Sequence, residues 1–171
     1  MPIWEIDQTH SSVRGGFTLW GIVNLSAPFH TFSGELDLDD DDPLKGSIDA
    51  TVLAPSFQLR DYRMNARVVS DIYLDAYQFP SIRFKSKEIR PTGEGRADVV
   101  GDLTLRETTG EAVMHIQFNG SRTDEQGKMQ RGYTGDIELN WKEFLKGPPT
   151  SRADSTGGMA NVHIEILANK K

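Results

Sequence analysis

The chain has 171 residues, no cysteine and a formal net charge of −6. That length fits one domain spanning residues 1–171 and buries a core without metal or disulfide staples. The missing cysteine excludes disulfides, thiolate metal sites and cysteine nucleophiles, and the acidic balance disfavours nucleic acid as a partner.

The opening, Met1–His10, carries neither a basic stretch nor an apolar run, so no secretory leader is read there. This predicts a cytoplasmic protein, or a periplasmic one were a longer precursor trimmed. No window approaches the ~20 apolar residues of a membrane span.

Taken in order, the chain repeats a two-residue apolar period. Phe17, Leu19, Val23 and Leu25 share one parity, and Leu36 and Leu38 oppose Glu35 and Asp37. Ile48, Ala50, Val52 and Ala54 share the next face. Ile82 and Phe84 alternate with Arg83 and Lys85. Val99, Leu103 and Leu105 follow, then Ala112, Met114, Ile116 and Phe118. Tyr133, Ile137, Leu139 and Trp141 form another face, and Val162, Ile164 and Ile166 close the series. Each run reads as a half-buried strand. Asp39–Pro43, Pro91–Gly95, Thr108–Gly110 and Asp124–Gly127 read as the turns between strands.

Short turns between sequential strands favour an antiparallel meander. The fold class is therefore all-β, with about eight strands closing into an up-and-down barrel in preference to a sandwich.

Leu59–Phe84 interrupts this pattern with charge and aromatic residues. Arg60–Val69 lacks Gly and Pro and predicts a helix, with Asp61 as its N-cap. Asp71–Ala76 predicts a second short turn. A helical insert between Leu59 and Tyr77 results.

No catalytic set emerges. The four histidines (His10, His30, His115 and His163) form no metal-ligand spacing, so neither a metal nor a cofactor is expected. His10-Ser11 reads as a turn, since it lacks a nucleophile elbow and a placed acid. The acidic run Asp37–Asp42 lacks calcium-loop spacing and reads as a solvated turn. Phosphate-binding glycine loops are absent.

A barrel of this size holds either a packed core or one small ligand. Phe17, Leu19, Trp20, Phe29, Phe32, Phe57, Tyr73, Phe79, Phe84, Phe118 and Trp141 are the candidate lining. On the residues alone, a lined cavity and a filled core stay equally open.

Several segments resemble one family. Trp4–Ser11 is similar to its opening of an aromatic residue, Ile/Leu-Asp and His-Ser. Phe29–Leu36 resembles its F-x-x-F-x-G segment, Arg60-Asp61 its R-D pair, and Phe79–Ser86 its F-P-x-I-x-F-x-S signature. Val100–Leu105 is similar to its G-D-L-T-I segment, and Asn140–Leu145 to its closing segment. Together they resemble the YceI-like family of lipocalin-like barrels. Trp20 departs from the histidine common near its position. The resemblance implies a non-enzymatic carrier of a polyisoprenoid, isoprenoid quinone or similar lipid, acting as a homodimer. Arg60 and Asp61 then either meet a head group at the tunnel mouth or form a structural ion pair and helix cap. The rivals are an enzyme acting on a lipophilic substrate and a stress-response module with a filled core.

Overall fold

The predicted alternating runs fall on strands, with Ala54 and Trp141 just past strand ends. The computed structural model describes residues 2–71, 73–144 and 159–171. Ten antiparallel strands form one sheet: β1 (Ile3–Ile6), β2 (Ser12–Leu19), β3 (Val23–Pro28), β4 (Phe32–Leu38), β5 (Gly46–Leu53), β6 (Ser81–Gly93), β7 (Arg96–Leu105), β8 (Thr108–Thr123), β9 (Met129–Asn140) and β10 (Met159–Lys170). Their order is β1-β4-β5-β6-β7-β8-β9-β10-β2-β3, and β1 also pairs with β10, which closes the ring.

Ten strands occupy eight wall positions, because two positions are each split in two. One edge of β10 pairs with β1 through Ala168–Lys170 and with β2 through Ala160–Glu165. Likewise β4 lies beside β1 and β3 beside β2. The first split falls at Asp7–Ser11. There Asp7 Oδ1 accepts the amides of Thr9 (2.9 Å) and His10 (3.1 Å), an Asx turn. Ser11 Oγ accepts the Leu167 amide at 2.9 Å and keeps the wall bonded across the gap. The second split falls after β3, where Phe29 bridges to Phe57. The result is the closed eight-position antiparallel barrel expected from the sequence.

The register assigns the connections to two ends. Leu53 pairs with Ser81, Leu105 with Thr108, Asn140 with Met159, and Phe17 with Ala160. The β2–β3 hairpin, the insert between β5 and β6, and the β7–β8 turn therefore share one end, the mouth. The β4–β5, β6–β7 and β8–β9 turns lie at the other, the floor.

Between β5 and β6 sits the one α-helix among the described residues, α1 (Tyr62–Val69). It starts two residues later than the predicted Arg60. Asp61 is its N-cap, with Oδ1 accepting the amides of Arg63 (3.1 Å) and Met64 (3.2 Å). A turn follows, closed by the Leu74 amide on the Val68 carbonyl and the Ala76 amide on the Val69 carbonyl.

Val23 keeps the face of Phe17 and Leu19, pairing directly opposite Leu19, but it is exposed because β3 begins at the projecting hairpin tip. Leu145, the last residue of the family-like closing segment, lies outside the described residues.

Candidate functional site

The inward face of the barrel encloses a cavity of about 530 Å³. That is within the roughly 300–1,000 Å³ of small-molecule sites. Its walls follow from strand parity. Ile48, Ala50 and Val52 line it from β5, Ile137 and Leu139 from β9, and Ala160, Val162 and Ile164 from β10. Small residues make room for large ones. A Cβ on Gly15 would come 2.9 Å from the Phe29 ring, and one on Gly101 would come 2.7 Å from the Phe84 ring.

Nine of the thirteen candidate residues line this cavity: Phe17, Leu19, Trp20, Phe29, Phe32, Phe57, Tyr73, Phe84 and Trp141. Phe29 and Phe57 are packed with ring centroids 4.9 Å apart, under the insert. Tyr73 meets Trp141 edge-on at 5.0 Å. Both pairs lie toward the mouth, where the aromatic residues concentrate.

Four candidates are not part of the lining. Phe118 is partly buried near the floor and packs on Tyr133 at 5.5 Å. Phe118 keeps the inward parity of Met114 and Ile116, in register opposite Tyr133, and is outside the lining because it packs into the core at the floor. Phe79 lies under the Arg106 guanidinium, 6.0 Å from its ring centroid. Asp61 is committed to the start of α1, and Arg60 is exposed beside it. The structural reading of Asp61 as a cap holds, but the ion pair between the two residues is not formed.

Sequence reasoning missed three arginines. Arg67, in the last turn of α1, is the one formally charged side chain among the residues lining the cavity. Asn161 joins it there as a polar neighbour. Arg106, in the β7–β8 turn, donates to the carbonyls of Asp71 (3.1 Å) and Tyr73 (3.3 Å) and lies 3.8 Å from the Asp75 carboxylate. It ties the insert to the barrel rim. A positive φ of 57° at Arg106 marked this turn as special, but no local sequence signal names its target.

Arg131 seals the floor. It is 3% exposed and donates to the carbonyls of Asp39 (2.8 Å) and Asp40 (2.7 Å). Tyr133 donates its hydroxyl to the Pro43 carbonyl at 2.7 Å, and burial pushes the phenol up to about 12. Asp39 accepts the amides of Asp41 and Asp42, which hold its carboxyl below the ordinary range. The acidic run is thus a shaped plug and not only a solvated turn.

The histidines sit away from the cavity. His10 bonds Asp7 at 3.0 Å on the outside, while Ser11 is engaged by backbone. His115 pairs with Asp98 at 2.6 Å, and His163 with Asp136 at 2.6 Å and Glu165 at 3.1 Å. Among the described residues, no carboxylate, imidazole or amine lines the cavity, and no cluster of potential ligands could hold a metal. The chemistry available inside is dispersion and desolvation, with one cation at the mouth.

A model of the YceI-like domain family matches residues 4–168. A UPF0312 protein of Pseudomonas savastanoi pv. phaseolicola is 32% identical over 145 residues, 84% of this chain and 76% of that protein. Among solved structures, Burkholderia cenocepacia BcnA superposes with a TM-score of 0.82 at 20% identity, over 95% of this chain and 98% of that one. A polyisoprenoid binding domain from Saccharophagus degradans, implicated in plant cell wall breakdown, superposes at 0.70 with 13% identity, over the full length of both chains.

Proposed function

The chain belongs to the YceI-like domain family, and from that premise we propose that it binds and carries a long-chain apolar ligand of the polyisoprenoid or isoprenoid-quinone kind. One observation carries the reading: the barrel encloses a cavity of about 530 Å³ whose walls are almost wholly aliphatic and aromatic. Burying each CH₂ of a chain there is worth about 0.8 kcal/mol. Ordering costs cap the return for drug-sized ligands near 0.3 kcal/mol per atom, yet a chain of tens of carbons still binds tightly.

The ligand's polar end lies at the mouth, beside Arg67 and Asn161, since the floor is closed by Arg131. Selectivity comes from cavity length and from those few polar groups. The reading is non-catalytic, supported by a lining without a general acid or base. Transport between donors and acceptors, and a homodimer as the carrying form, belong to the same proposal. Sedimentation equilibrium tests the dimer.

The binding itself is tested by organic extraction of protein purified without detergent. One long-chain lipid per chain is the expected yield. Extracts free of lipid, from protein that also takes up none when mixed with an isoprenoid quinone, would overturn the reading.

A further inference from the structure

Eight large apolar or aromatic side chains stand exposed on the described surface. Ile3 is at the floor; Trp20, Ile22, Val23, Leu53, Tyr62, Tyr77 and Met159 are all at the mouth end. Isolated exposed apolar residues are ordinary, but seven gathered around one opening mark a contact surface. They come from separate elements: the β2–β3 tip, the end of β5, the insert and the start of β10. The most exposed are Tyr77 (87%), Ile22 (79%), Tyr62 (74%) and Trp20 (68%).

The β2–β3 tip is built to project. Trp20 and Gly21 both have positive φ, 55° and 72°, and Ile22 donates its amide to the Leu19 carbonyl at 3.1 Å. Positive φ is costly for an indole-bearing residue, so the tip holds strain while presenting Trp20 and Ile22 to solvent. On α1, Met64, Arg67 and Val68 line the cavity. Helical spacing turns Tyr62 to the opposite side, away from the barrel.

Charge selects the partner. Among the described residues, no carboxylate pairs with Arg60, Arg63 or Arg67. Asp61 is taken up by the helix N-terminus and Asp75 lies by Arg106. Asp71, Glu107 and Glu143 are exposed at the same end, so attraction to an anion comes from the α1 side alone. The acidic turn Asp39–Asp42 is at the far end, which orients the mouth toward a negative surface.

We propose that the mouth end docks on an anionic phospholipid membrane. The tip and the two tyrosines enter the interfacial layer, and the α1 arginines meet lipid phosphates. Tyrosine and tryptophan favour that layer because each has an apolar body and a polar tip. This rests on the carrier reading for its purpose: docking would let an apolar chain pass between bilayer and cavity without crossing water.

The test uses delipidated full chain in vesicle co-sedimentation, with phosphatidylcholine alone and with phosphatidylglycerol added. Docking predicts binding to the anionic vesicles that weakens with salt. The variant Ile22→Ser/Tyr62→Ser/Tyr77→Ser touches no lining residue. It is expected to lose binding by at least about tenfold, while Ile3→Ser at the floor loses none. Arg60→Gln/Arg63→Gln, at two exposed arginines outside the cavity lining, removes the part that depends on phosphatidylglycerol. Absence of binding, equal binding to both vesicles, or a solution dimer abolished by the triple variant would overturn the proposal. Uptake of quinone is scored separately, so a chain that docks without cargo refutes the carrier reading alone.

Discussion

The guanidinium of Arg131 lies 4.5 Å from the centre of the Trp4 ring, and the two close the floor of the barrel. Trp4 is fully buried, and Arg131 spans from it to the carbonyls of the acidic turn. A cation over an indole, with its donors satisfied by carbonyls, is stable without a buried carboxylate.

Arg131→Ala strands two carbonyls and removes the lid over Trp4. It is expected to destabilise the fold by about 2–4 kcal/mol. Arg131→Lys keeps the charge but loses the planar fork, so it recovers only part of that. Urea unfolding of both variants measures the difference.

Arg106 holds the insert to the rim, so Arg106→Ala is expected to loosen residues 71–79 more than the barrel. Amide exchange should speed in that segment and stay slow in β7–β9. Release of bound ligand should quicken, with global stability reduced by about 1–2 kcal/mol. Uniform exchange across the chain would contradict this role.

Asp61→Ala removes the cap of α1 and is expected to cost about 1 kcal/mol, read by thermal unfolding. Asp61→Asn still accepts the Arg63 and Met64 amides and should lose little. If both variants release ligand faster to the same degree, Asp61 has a role at the mouth beyond capping.

His163 titrates on the outer wall. Its hydrogen bond to Asp136, then that to Glu165, raises its pKa above the ordinary 6.5. Arg14 faces it across β2 from the other side. A raised folded-state pKa means the stabilisation is fully present below about 6.5 and is lost as pH rises through the folded value. His163→Gln should therefore be less stable than the wild type at acidic pH and equal to it at alkaline pH. A gap that persists unchanged to high pH would contradict the assignment.

The strand pattern was legible because alternation is local: each run of residues such as Ile48, Ala50 and Val52 declares its own face. The helix cap was legible for the same reason, since Asp61 acts within three residues. The split walls were not. Asp7 and Phe29 interrupt strands through a turn and a bridge that depend on partners elsewhere in the chain. Arg131 and Arg106 were unreadable because each binds carbonyls far along the sequence, which carry no residue signature. Phe118 shows the limit of parity, which gives the inward face but not the depth along the barrel at which the core closes. The aromatic residues alone left cavity and core undecided; the interposed Gly15, Ala50 and Ala160 set their spacing around open space.

Native mass spectrometry of the delipidated chain mixed with a long-chain isoprenoid quinone tests the central claim most directly. Wild type is expected to take up one molecule per chain, and Ala50→Phe, which fills the cavity at mid-barrel, to take up none while melting as a folded protein. No uptake by wild type, or equal uptake by both, would contradict an internal apolar site.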